Sequence, residues 1–195
     1  MSFEVLFLEE LHTRGFGSQH YLRAFKKRPH VSKSKIDAFD NVKYLDVGKL
    51  ESEIGYNKLK RRYMACTNLT YDIFLSIYDF NSSSCMAARF AYFTDAIRAQ
   101  LRKYVGSIKR PNFELRLFGM QDGQDHMQLY SISDFISSTK LQATEIDLFG
   151  KEVRNIAIDL HTGMSYNILM LDRLYRPGEL LNSTTIEQYE KSIMG

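Results

Sequence analysis

Tryptophan is absent from the 195 residues, proline occurs three times and cysteine only twice. So few prolines exclude collagen-like or proline-rich repeats. Two cysteines, Cys66 and Cys85, cannot form the disulfide framework that small secreted domains need, so a reducing compartment is expected. No apolar run reaches the roughly 18 residues of a membrane-crossing helix. Residues 3–8 are apolar, but Glu4 lies among them, Glu9 and Glu10 follow and no basic residue precedes, unlike a secretory signal. Acidic residues are missing from the whole stretch between Glu10 and Asp37.

What fills that stretch is basic. Arg14, Arg23, Lys26, Lys27, Arg28, Lys33 and Lys35 are seven of the 26 lysines and arginines, although the whole chain carries a net charge of only +3. Gly15, Gly17, Ser18, Pro29, Ser32 and Ser34 punctuate the segment without a helical or alternating period. Residues 1–50 therefore read as a flexible basic arm, and residues 51–195 as a globular domain. Hydrophobic residues at 44% and charged residues at 25% give that domain enough apolar material for a core. Phe16, Tyr21 and Phe25 alternate with the arm's cations, a mixture suited to phosphate contact with stacking or to an anionic bilayer. Lys60, Arg61 and Arg62 extend the basic set, as do Arg98, Arg102 and Lys103.

Periodicity supplies the expected elements. Leu69, Tyr71, Ile73, Leu75 and Ile77 alternate as a strand. Met86, Phe90, Phe93, Ile97, Leu101 and Tyr104 are spaced 4, 3, 4, 4 and 3 apart, which predicts one long amphipathic helix over 86–105, stopped by Gly106. The serines of 82–84 would cap it. Residues 113–117 alternate as a second strand, and 141–148 can hold another. Residues 153–160 and 164–171 read as a hairpin turning at His161-Thr162-Gly163. Thr184-x-x-Glu187 opens a short C-terminal helix. The expected class is α+β, an antiparallel sheet packed on one main helix.

Chemistry is harder to find. The five histidines, His12, His20, His30, His126 and His161, never stand at the i, i+3 or i+4 spacing of a helical metal site. No Gly-x-Ser-x-Gly, phosphate loop or paired-carboxylate motif occurs. Cys85 near the expected helix start has no identifiable base, so a small buried hydrophobe is the better reading. No cofactor, metal or catalytic residue is assigned, and the chain is not expected to be an enzyme.

Three stretches resemble the matrix proteins of rhabdoviruses. The first leads from the strand ending at Ile77 through the helix to Tyr104-Val105-Gly106, Lys109-Arg110-Pro111-Asn112-Phe113 and Leu117-Phe118-Gly119. The second is Arg154-Asn155-Ile156 to Asp159-Leu160 with Gly163, and the third is Asn182-Ser183 followed by a helix ending at Gly195. The single proline in the arm, Pro29, departs from the proline-rich budding motif of animal members and looks more like a plant-infecting one. The resemblance implies a structural protein lying between envelope and nucleocapsid in the virion, and in the host cytoplasm or nucleus. It would bind nucleoprotein–RNA and anionic membrane lipids, touch a glycoprotein tail and self-associate. The family's exposed apolar loop would fall within 120–136, with Met127, Leu129 and Phe135 as the residues for membrane insertion or self-association. A soluble RNA-binding regulator is the alternative.

Overall fold

Strand alternation organises most of the molecule. A computed structural model describes residues 28–38, 42–46, 48–54, 61–109, 111–120, 127–141, 143–148 and 153–170. In chain order the elements are β1 (His30–Ser32), α1 (Lys33–Asp37), β2 (Val42–Tyr44), β3 (Lys49–Ile54), β4 (Tyr63–Leu69), β5 (Ile73–Asp79), β6 (Ser84–Phe90), α2 (Asp95–Ser107), β7 (Phe113–Gly119), α3 (Met127–Thr139), β8 (Ala143–Leu148), β9 (Arg154–Asp159) and β10 (Ser165–Leu169). They form two five-stranded sheets, ordered β1-β10-β9-β4-β2 and β3-β6-β5-β7-β8. Each sheet is mixed: β1 runs parallel to β10, β2 to β4 and β8 to β7, while the other pairs are antiparallel.

The sheets lie face to face. β5 is buried along its whole length because it is covered on both sides. Ile73, Leu75 and Ile77 join the core beneath α2 and α3, whereas Phe74 and Tyr78 join Met64, Ile156, Ile158 and Phe118 between the sheets. Phe74 and Phe118 stack there at 5.9 Å between ring centres. The far side of the first sheet buries Tyr63, Ala65, Ala157 and Ile168 with Ile36 of α1. The layers therefore run short helix, sheet, sheet, helix pair.

The expectation of one antiparallel sheet on a long helix over 86–105 is overturned. Residues 84–90 are β6, paired on both edges, and α2 begins only at Asp95. A separation of four, as from Met86 to Phe90, is about one helical turn and also two full strand periods. Both side chains consequently reach the same core as Phe93 and Leu101, with Ile97 and Tyr104 packed against it, by two different geometries. Thr94 rather than a serine caps α2, its hydroxyl accepting from the Ile97 N–H at 3.4 Å.

Other elements differ as well. α3 carries Leu129, Ile132, Phe135 and Ile136 into the core, but serines dilute its apolar stripe. Ser133 is itself buried, and the hydroxyls of Ser138 and Thr139 bond back to the Phe135 carbonyl at 2.9 and 2.8 Å. Residues 30–54, expected to lie mainly in the arm, contribute β1, α1, β2 and β3 to the fold. The β7 and β8 strands and the β9–β10 hairpin stand close to where alternation puts them. Residues 1–27 of the expected arm and the expected C-terminal helix lie outside the described residues.

Candidate functional site

Arg28 was expected to face an anionic ligand, and the fold corrects this. Its guanidinium enters the interior, donating from Nε to Glu145 at 2.7 Å, from both Nη atoms to Asp147 at 3.0 Å, and from Nη1 to Asn167 at 2.7 Å. The cation also sits 4.8 Å above the centre of the Phe118 ring. Around it, Arg154 donates to Asp147 at 2.5 Å, Ser165 to Glu145 at 2.5 Å, and Arg116 lies 3.6 Å from Glu145 and pairs with Glu114. Three cations and three carboxylates thus balance one another. Arg28 is bound here because a buried charge is tolerated only when paired.

The alternation of Glu114 and Arg116 with Phe113, Leu115 and Leu117 predicts a strand and leaves the polar face unassigned. A usable signal was nevertheless present: Glu145 and Asp147 alternate in β8, and β8 sets Glu145 beside Arg116 in register. Complementary charge at matching alternation marks a covered polar face.

The remaining basic candidates scatter. Lys33 pairs with Asp37 one turn along α1 and lies 5.7 Å from the Tyr44 ring centre, while Lys35 is exposed. Burial works to raise the Asp37 carboxyl, but hydrogen bonds from Lys33 and Tyr44 hold it below its ordinary value. Arg62 is part-exposed and pairs with the wholly buried Asp159 at 2.9 Å; that hydrogen bond raises the guanidinium above its ordinary range. Arg61 is half-buried. Arg14, Arg23, Lys26, Lys27 and Lys60 lie outside the described residues. Leu129 and Phe135, expected to insert into a membrane, are each 1% exposed in the core under α3, and only the backbone of Met127 is described.

Exposed cations do collect on the helical layer. Arg102 and Lys103 on α2, Lys109 after it and Lys140 at the end of α3 all face solvent. Arg102 reaches across to Ser138 of α3 at 3.1 Å, which ties the two helices into one surface. Arg98 is half-buried over the Phe93 ring, 5.5 Å from its centre, and touches Asp95 at 3.3 Å. Asp95 and Asp134 are the acidic residues exposed on these helices.

A second polar knot surrounds the turn between β4 and β5. Arg89 donates to Asp72 at 3.0 and 2.8 Å and to the carbonyls of Thr67, Leu45 and Asn68 at 3.1, 3.3 and 3.4 Å. Asn68, Gly119 and Met120, with φ of 54°, 115° and 52°, adopt left-handed or otherwise glycine-favouring backbone beside it, and the Met120 N–H donates to the Asp72 carbonyl at 3.1 Å. The donors and acceptors answer one another, so the knot fixes a turn.

Neither cysteine is a nucleophile. Cys66 and Cys85 are buried between the sheets, and burial pushes both thiols up to about 12. Thiolate is what attacks, and at neutral pH almost none forms. Among the described residues no histidine, cysteine and carboxylate side chains gather to hold a metal, and no helix is long and apolar enough to cross a membrane.

Compared with known proteins, the chain matches no family model and no curated sequence.

Proposed function

We propose that this protein works by adhesion to anionic partners and carries out no chemistry. Its role on this reading is matrix-like: it joins a nucleoprotein–RNA complex to the inner, anionic face of a membrane and associates with copies of itself. The exposed cations of the helical layer carry the proposal. Arg102, Lys103, Lys109 and Lys140 face solvent on adjoining elements, and among the described residues of the two helices only Asp95 and Asp134 oppose them. Apolar insertion through Leu129 or Phe135 forms no part of this reading, so attachment would be electrostatic and reversible.

Each lysine or arginine near an anionic surface contributes about 1 kcal/mol. Reversing Arg102, Lys103 and Lys140 to glutamate should therefore weaken attachment by at least about a hundredfold. Cosedimentation of the full chain and this triple variant with anionic and neutral vesicles, at low and high salt, tests the proposal. Binding of the full chain to anionic vesicles alone, lost in the variant and at high salt, is expected. Binding to single-stranded RNA without vesicle binding or assembly would select a soluble RNA-binding regulator instead. Binding to neither at low salt would reject adhesion.

A further inference from the structure

The segment from Arg28 to Asp37 is fastened to the fold by few contacts. β1 lies at an edge of the first sheet and, among the described strands, pairs only with β10, setting Val31 beside Ile168. The Asn167 N–H of β10 also donates to the Pro29 carbonyl at 2.9 Å. α1 holds five residues, too few for a helix that stands alone. The Ser32 hydroxyl caps it by accepting from the Lys35 N–H at 3.3 Å, and Asp37 at its end accepts from the Tyr44 hydroxyl at 2.6 Å. Val31 and Ile36 are buried against Tyr63, Ala65, Ala157 and Ile168 on the outer face of the first sheet.

Two aliphatic side chains return only a fraction of what it costs to order residues 28–37. Arg28 adds charge-assisted bonds, the strongest kind available to the segment. Its guanidinium reaches Glu145 and Asp147 of β8 in the second sheet and Asn167 of β10 in the first, so one side chain pins the segment to both sheets. The groups it binds have other partners. Asp147 also takes Arg154 of β9, Glu145 takes Arg116 of β7 and Ser165 of β10, and β10 is paired with β9 along its other edge. Withdrawal of Arg28 therefore leaves each carboxylate with a cation and each sheet with its remaining ladder.

We infer that residues 28–37 form a strap that opens and closes as one unit while both sheets stay folded, with Arg28 as its catch. Closed, it holds the Arg28 charge inside the molecule and covers the outer face of the first sheet. Open, it presents that cation to solvent and uncovers Tyr63, Ala65, Ala157 and Ile168 as an apolar face. The strap lies across the molecule from the helical layer and does not depend on adhesion there.

Native-state hydrogen exchange of the full chain, read amide by amide in NMR spectra at several urea concentrations below the unfolding midpoint, tests the strap. The protected amides of β1 and α1, together with Asn167, should share one protection factor, lower than those of β5 and β9. Their protection should change little with urea, because opening exposes little surface, whereas β5 and β9 should follow the steep slope of global unfolding. Arg28→Gln should lower the strap's protection roughly a hundredfold, and Lys35→Gln should leave it unchanged. A protection factor and urea slope equal to those of β5, strap amides that exchange independently of one another, or unchanged strap exchange in Arg28→Gln would each overturn the proposal. Should Arg28→Gln fail to fold, the wild-type protection factors and slopes decide alone.

Discussion

Removing the Arg28 side chain would leave Glu145 and Asp147, 6% and 3% exposed, without the cation that bridges them. Breaking a buried ion pair from one side costs roughly 3–5 kcal/mol. Arg116 and Arg154 still neighbour the two carboxylates, so Arg28→Ala is expected at the lower end, about 3 kcal/mol by urea unfolding. Lys35→Ala, at an exposed position a few residues away, should change stability by less than about 0.5 kcal/mol. In the sequence these two residues are indistinguishable members of one basic run. Arg28 differs only through partners 117 and 119 positions away, and no local pattern reports them. Leu129 and Phe135 show the reverse error: the family resemblance put them in an exposed loop, and the fold puts them in the core.

At the scale of elements, two glycines give opposite outcomes. Gly119 ends β7 at φ 115°, and an added Cβ would stand 2.0 Å from the Asp72 carbonyl oxygen. Gly119→Ala should therefore lose at least the roughly 1–3 kcal/mol of a misplaced backbone, seen as a lowered urea midpoint. Gly106 lies inside α2 with nothing within 4 Å of the added methyl, so Gly106→Ala should gain about 0.5–1 kcal/mol. Sequence reading used Gly106 as a helix stop, and the helix runs past it. Strands with one clean alternation, β7 and the β9–β10 hairpin, were legible. β6 was not, because its apolar spacing satisfies both periods, and β1 and β2 were too short and too basic to register.

For the molecule as a whole, the space between the sheets is the sensitive part. Cys66 and Cys85 lie there with their thiols pushed up to about 12, against about 8.5 for a thiol in an unfolded chain. A proton held more tightly in the folded state stabilises it below the unfolded value. That contribution fades as pH rises from about 8.5 toward about 12. Urea midpoints should fall over this alkaline range, and less steeply in a Cys66→Ala, Cys85→Ala double variant. At pH near 8, neither thiol of the folded protein should react with an aromatic disulfide reagent until urea opens the sheets. The two-sheet arrangement itself was not legible, since strands from both ends of the chain share one sheet. Arg28, two residues ahead of β1, and Asn167, within β10, are 139 positions apart. A ribosome adding about 5–20 residues per second makes the first wait on the order of ten seconds for the second. The β5–β6 hairpin is complete long before that, and among the described strands β1 is one of the last to find its partner.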